Sequence, residues 1–321
     1  LRRALVDSEA TTAFRLIHGA ADGWPDLYVD RLGEFLLAQS ERPLSQAQVQ
    51  RIEACSRDWN IRGVFHKTLL RQIRAATPSA ITPKLILGEA PAAEFVVREN
   101  GVEFLLSFQE GYSIGLFLDQ RDNRRRLLAR HVAAQFDLGS QPAAALDILN
   151  VFSYTCAFSV CAARAGGRTT SLDLSKKYLE WGRRNFAQNG IDPAAHDFIY
   201  GDALDWMSRL ARKNRQFDLV LLDPPTFSRS KTQGTFQATR DYAKLANAAA
   251  ALLKPEGVLF ASTNAAELKP ERFLEMIEDG IKQAGREIAQ QQFYPQPPDF
   301  PITRAEPGYL KTVWMRVAAA R

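Results

Sequence analysis

Five strand-like runs, Leu146 to Phe152, Arg168 to Leu172, Phe198 to Tyr200, Phe217 to Leu222 and Gly257 to Ser262, are separated by helical patterns. Three of them lead to an aspartate: Asp173, Asp202 and Asp223. Regular alternation of strand and helix is the pattern of a parallel sheet with crossover helices. The second part of the chain is therefore expected to be a doubly wound α/β domain. Ser175 stands at the N-cap of the helix that follows Asp173, and Gly190 stands where a left-handed residue would end it. Glu287–Tyr294 and Leu310–Val317 are expected as an antiparallel edge.

Before residues 105–130 the pattern is irregular. Leu27–Asp30 and Phe35–Ala38 turn at Leu32-Gly33, Gln46–Asn60 reads as a helix, and Val64–Lys67 as a further strand. Asn100-Gly101 between Phe95–Val97 and Val102–Phe108 is a hairpin signal. Residues 1–105 are thus expected to form a small α+β domain and 106–321 the larger one.

Several function classes drop out. No run approaches the about 18–20 apolar residues of a membrane span, and the N-terminus has no secretory leader pattern. A cytoplasmic protein is expected. Cys55, Cys156 and Cys161 are too scattered for a disulfide framework, and the histidines show no ligand spacing, so no metal is expected. A net charge of +5 allows an anionic partner, and it is concentrated in Arg121, Arg124, Arg125 and Arg126 and in Arg209, Arg212, Lys213 and Arg215. A solvated helix face is the competing explanation of either cluster.

Ligands of an open parallel sheet bind beyond the carboxyl ends of its strands. A carboxylate after the second strand, Asp173, suits a ribose diol, and one after the third, Asp202, an adenine amino group. A strand-end Asp is also a common helix cap. Between Asn150 and Phe158 there is no glycine, so the pyrophosphate cradle of a dinucleotide site is missing, as is a P-loop lysine motif. S-adenosylmethionine, an adenosine cofactor without phosphate, fits this pattern. After the fourth strand, Asp223-Pro224-Pro225-Thr226-Phe227 holds the chain extended and supplies no N–H at the prolines. Its carbonyls suit an exocyclic amine or a ring nitrogen, and Phe227 could stack on a base.

These motifs resemble the bacterial 23S ribosomal RNA large-subunit methyltransferases, a family with cytosine-C5 and guanine-N7 branches. Ala13 to Gly19, Ala21 to Pro25 and Val29 to Arg31 are similar to its small central domain. Gly115 to Arg124 is similar to the entry into its catalytic domain, Asn150 to Thr155 to its cofactor loop, and Asp223 to Phe227 to its catalytic loop. Tyr178 to Trp181 and Asp223 to Ser228 lean toward the guanine-N7 branch. The resemblance implies a Rossmann-like class I methyltransferase domain with a mostly parallel seven-stranded sheet. It also implies large-subunit rRNA as partner, and cofactor contacts from Asn150, Phe152, Ser153, Tyr154, Thr155, Asp173, Leu174, Asp202, Ala203 and Asp223. Gln120 and Arg121 are expected beside the same pocket, where they could pair with a cofactor carboxylate or RNA phosphate. The catalytic set is Asp223, Pro224, Pro225 and Phe227.

Two departures stand out. The family places glycine where Cys156, and often Ala157, stand. Its upstream PUA domain is outside this chain, which opens at Leu1 and so leaves room for preceding residues.

Cytosine C5 needs a cysteine thiolate adding at C6. In the cytosine branch that cysteine follows the fifth strand, where this chain has Ser262-Thr263-Asn264. A guanine ring nitrogen needs no covalent help, so direct transfer to guanine is expected, N7 ahead of the exocyclic amine. Cytosine-C5 transfer, a protein or small-molecule N-methyltransferase, and a catalytically silent RNA-binding scaffold are the alternatives.

Overall fold

The larger sheet has seven strands, β1 (Asp147–Val151), β2 (Arg168–Asp173), β3 (Asp197–Tyr200), β4 (Phe217–Leu222), β5 (Leu253–Thr263), β6 (Ile288–Tyr294) and β7 (Lys311–Val317). Their order is β3-β2-β1-β4-β5-β7-β6. This is a computed structural model and describes residues 2–70, 82–110, 113–139, 145–230 and 234–318. β1 to β5 run parallel, β7 pairs antiparallel with β5, and β6 pairs antiparallel with β7, the antiparallel edge expected from the sequence. The chain first builds outward from β1 to β3 and then crosses over to β4 and β5. That reversal lies between β1 and β4, where open sheets of this kind bind their ligands.

The parallel strands read as apolar because helices cover both faces. Leu149, Val151, Leu172, Val220, Leu222, Leu259 and Ala261 are buried. The helices are α1 (Ala157–Arg164), α2 (Lys176–Gln188), α3 (Ala203–Arg212), α4 (Ala238–Ala250) and α5 (Pro270–Gln283). Ser175 caps α2 by accepting the Tyr178 N–H at 3.3 Å, and Gly190 follows in the left-handed region at φ 68°. α4 is rich in alanine and approaches α5 closely. A Cβ on Gly280 would collide with the Ala243 carbonyl and the Ala246 side chain, so only glycine fits there.

The smaller sheet comprises Ala13–His18, Tyr28–Leu32, Phe35–Ser40, Gly63–Thr68 and Lys84–Gly88 in sequence order. Its one parallel pair, Phe35–Ser40 with Gly63–Thr68, is bridged by the helix Gln46–Asp58. Ser45 and Gln48 start that helix with a reciprocal capping box. Phe14, Ile17, Leu27, Val29, Leu36 and Val64 form this unit's core. The hairpin of Phe95–Glu99 and Val102–Leu106 turns through Asn100 and Gly101 at φ 52° and 76°, the backbone a two-residue turn of this kind demands.

The chain divides into two compact units, Leu1–Arg121 with Pro297–Gly308, and Asp122–Gln296 with Tyr309–Arg321. Beyond residues 1–105, the first unit takes in 106–121 and Pro297–Gly308. Asp299 is the physical reason: fully buried, it accepts both Arg121 terminal nitrogens at 2.8 and 2.6 Å and the Arg15 N–H at 2.9 Å. Glu306 adds to this tie by accepting the Ala20 N–H at 2.9 Å and the Tyr28 hydroxyl at 3.2 Å. Partners 178 positions apart leave no local pattern to read.

Candidate active site

The loop after β1 turns back on itself without glycine. Phe152, Tyr154 and Cys156 alternate into the left-handed region at φ 61°, 48° and 62°. Each such residue costs about 1–2 kcal/mol, so surrounding contacts must hold the loop. The Ser153 N–H donates to the Leu172 carbonyl at 3.1 Å, the Cys156 N–H to the Ser153 carbonyl at 2.7 Å, and the Tyr154 N–H to the Asp173 carboxylate at 2.8 Å. Asn185 of α2 donates to the Thr155 carbonyl at 2.9 Å, and Tyr178 packs edge-on against Tyr154. The thiol of Cys156 lies against Gly182, where a Cβ would collide with it. Small residues facing each other thus admit a side chain where the resemblance predicts glycine.

Asp173 ends β2 with its other oxygen accepting the Ser175 N–H at 2.8 Å. Burial pushes its carboxyl above the ordinary carboxylate range, and hydrogen bonds from the Tyr154, Ser175 and Leu174 backbones oppose that rise. A carboxylate has about four lone-pair sites, so acceptor capacity is left for a diol. Leu174 beside it is 45% exposed, an apolar surface at the strand ends. Asp202 follows β3 and caps α3 by accepting the Asp205 N–H at 3.1 Å, so it fills the helix-cap role raised by its position. Ala203 is buried in the first turn of α3.

Asp223 follows β4 and accepts the hydroxyl of Ser262 on β5. Tyr242 of α4, completely buried, donates to the Ser262 carbonyl at 2.7 Å, with the Leu222 carbonyl 3.4 Å from the same oxygen. Burial, with the nearby Asp223 charge adding to it, pushes the Tyr242 phenol well above its ordinary value and keeps it a neutral donor. Pro224 is buried, while Pro225 and Thr226 are exposed. The Thr226 hydroxyl donates to Asn264 Oδ1 at 2.9 Å, and its carbonyl accepts the Ala238 N–H at 3.0 Å. Phe227 is half-buried and opens a hairpin, Phe227–Ser230 with Gly234–Gln237.

The loops after β1, β2, β3 and β4, with their carboxylates, therefore share the carboxyl edge of one sheet. A carboxylate with acceptor sites to spare, an exposed aliphatic beside it and no phosphate cradle fit an adenosyl group. No group of three or more His, Cys, Asp or Glu side chains suited to a metal occurs among the described residues. Nor is any helix among them long and apolar enough to cross a membrane.

The structure places the other expected site residues as follows. Asn150 is buried inside the sheet and donates to Ser159 of α1 at 2.9 Å, and Thr155 is wholly buried; both brace the loop. Gln120 and Arg121 belong to the first unit. There the Arg121 guanidinium donates to Asp299. Of the cluster around them, Arg124 is buried and Arg126 stacks on Tyr294, 3.4 Å from the ring centroid. Arg125 alone of those four is exposed, whereas Arg209, Arg212, Lys213 and Arg215 are all exposed. Ser262, Asn264 and Tyr242 complete the site without having been assigned a role from sequence. Tyr242, as the one aromatic residue of an alanine-rich helix, carried a readable signal.

Residues 14–316 match the family model described as S-adenosylmethionine-dependent methyltransferase. The chain is 31% identical over 320 residues to YwbD of Bacillus subtilis, covering 98% of this chain and 77% of that protein. It is 30% identical over 318 residues to ribosomal RNA large subunit methyltransferase I of Aeromonas salmonicida, with the same two coverages. The crystal structure of SMU.776, complexed with SAH, superposes with a TM-score of 0.82 at 29% identity, covering 98% of this chain and 78% of that one. With the strand-end carboxylates of its α/β sheet and a family match over almost its whole length, the chain belongs to the S-adenosylmethionine-dependent methyltransferases.

Proposed function

We propose that this methyltransferase acts on a guanine of large-subunit ribosomal RNA, at ring nitrogen N7, by direct transfer. The relatives named as ribosomal RNA large subunit methyltransferases support the RNA class. The exposed cations at the end of α3 suit a phosphate backbone. A ribosomal RNA substrate also implies a cytoplasmic enzyme.

The observation that carries the choice of atom is the state of the cysteines. Cys156 and Cys161 are wholly buried, Cys55 is 4% exposed, and burial pushes the Cys156 thiol up to about 12. β5 ends in Ser262-Thr263 and is followed by Asn264, with no cysteine in the place of a nucleophile. A cytosine ring carbon would need a thiolate, and none of these three sulfurs meets that need. A guanine N7 lone pair needs only alignment and desolvation.

Asp173 would hold the ribose hydroxyls and Asp202 the adenine amine, with Leu174 and Ala203 against the adenine and Phe152, Ser153 and Tyr154 lining the remainder. When bound, S-adenosylmethionine supplies an electrophilic methyl group on a sulfonium sulfur. The N7 lone pair would take the methyl group as its bond to sulfur breaks with the electron pair left on sulfur, and since no proton has to leave, the chain's residues need supply no base. Asp223, held by Ser262, and the carbonyls of Pro224 and Pro225 orient the base. Phe227 stacks on it once it is turned out of its helix.

The test is nucleoside mass spectrometry of unmodified large-subunit rRNA incubated with the protein and labelled cofactor. Labelled 7-methylguanosine is expected, and 5-methylcytidine would refute the assignment.

A further inference from the structure

Resting on that reading of the site, we infer that Asn264 reads the target base, with its side-chain amide donating to guanine O6 beside the N7 that takes the methyl group. β4 and β5 are paired so that Leu222 lies opposite Ala261. Beyond that rung their loops are joined twice, first by Ser262 to Asp223 and then by Thr226 to Asn264. The second link orients the amide. The Thr226 hydroxyl donates to Oδ1 at 2.9 Å, which leaves the two N–H donors of Nδ2 on this exposed side chain for another acceptor.

The backbone under Asn264 is held as firmly. The Ala265 N–H donates to Thr263 Oγ1 at 3.2 Å, and the Ala265 carbonyl accepts the ammonium of Lys311 at 2.9 Å and the Leu268 N–H at 3.1 Å. Lys311 is itself buried in β7. A donor is thus fixed at the carboxyl edge of the sheet, two residues beyond the one that holds Asp223.

Only one purine fits such a donor at this edge. Next to N7, guanine carries the O6 acceptor, whereas adenine carries an amino donor. An amide N–H welcomes O6 and meets N6–H₂ as donor against donor. It also leaves the N7 lone pair clear for the methyl group, which a donor placed on N7 would block.

The experiment compares guanine with 2-aminopurine, which keeps N7 and lacks O6, at the methylated position of a synthetic rRNA fragment. The position is first mapped by mass spectrometry of the wild-type product. Wild type is expected to prefer guanine by ~10- to 100-fold in kcat/KM, the usual worth of such a hydrogen bond. Asn264→Ala should methylate both RNAs within about 3-fold of each other, and Asn264→Asp, which sets a carboxylate against O6, should lose guanine transfer by ~100-fold or more. Thr226→Val unlocks the amide without removing it and should lower guanine transfer by ~3- to 10-fold. Calorimetry with S-adenosylmethionine shows whether each variant keeps a folded cofactor site, a readout that loss of base reading leaves unmoved. Retained preference for guanine in Asn264→Ala, or wild-type transfer by Asn264→Asp, overturns the proposal while 7-methylguanosine formation stands. A wild-type product without 7-methylguanosine overturns the guanine reading itself, and this proposal with it.

Discussion

Cys156 shows how a single side chain is accommodated where a bare backbone is expected. Its left-handed conformation, φ 62° and ψ 26°, costs about 1–2 kcal/mol relative to glycine, and its thiol fills the space that Gly182 leaves open. Gly182→Ala should therefore destabilise the protein by about 1–3 kcal/mol through overpacking. Cys156→Gly should change stability by no more than about 1 kcal/mol, since relief of the backbone offsets the lost burial. Combined, the two substitutions should recover most of the Gly182→Ala loss, a coupling that denaturant titration of the four proteins measures. Additive effects would mean that the two residues are packed independently. At this scale the sequence located Asp173, Asp202 and Asp223 but not what each oxygen does. Whether a strand-end carboxylate caps a helix, as Asp202 does, or gathers the N–H groups of another loop, as Asp173 does, depends on contacts that no local pattern encodes.

Elements were far more legible. Apolar runs, the Ser175 cap, Gly190 and the Asn100-Gly101 turn set the expected strands and helices to within a few residues, because each is decided by neighbours in the chain, whereas the strands Ala13–His18 and Lys84–Gly88 and the helix Pro270–Gln283 were not foreseen. The hairpin that follows Asp223-Pro224-Pro225 was not foreseen, nor was the clamp that joins the ends of β4 and β5. That clamp is Tyr242, which reaches from α4 to the Ser262 carbonyl. Tyr242→Phe removes this donor from the buried carbonyl and should cost about 1–3 kcal/mol in denaturant unfolding. Methyl transfer should slow more than cofactor affinity falls, since Asp223 and Ser262 sit on the two strand ends that lose their brace. An unchanged transfer rate in a measurably destabilised Tyr242→Phe protein would separate the clamp from catalysis.

For the molecule as a whole, the chain divides into two compact units, and the first takes in a segment from near the end of the chain. The return of Pro297–Gly308 to the first unit depends on Asp299 and Glu306, whose partners lie at the other end of the chain. On the proposed reading of the site, cofactor binding turns on one carboxylate and its proton. Burial raises the Asp173 carboxyl, so in the free protein it takes up a proton at a pH above the ordinary carboxylate range. The protonated form has fewer acceptor sites for a diol. Affinity for S-adenosylmethionine should accordingly be full at neutral pH and weaken as pH falls through that raised value, and Asp173→Asn should bind weakly with no such dependence. The most direct measurement is calorimetric titration of wild type and Asp173→Ala with S-adenosylmethionine at neutral pH. Loss of hydrogen bonds to a charged group should weaken binding by ~100-fold or more in the variant, while its unfolding remains cooperative. Equal affinity in the two proteins would show that the cofactor does not lie on the carboxylates at the strand ends.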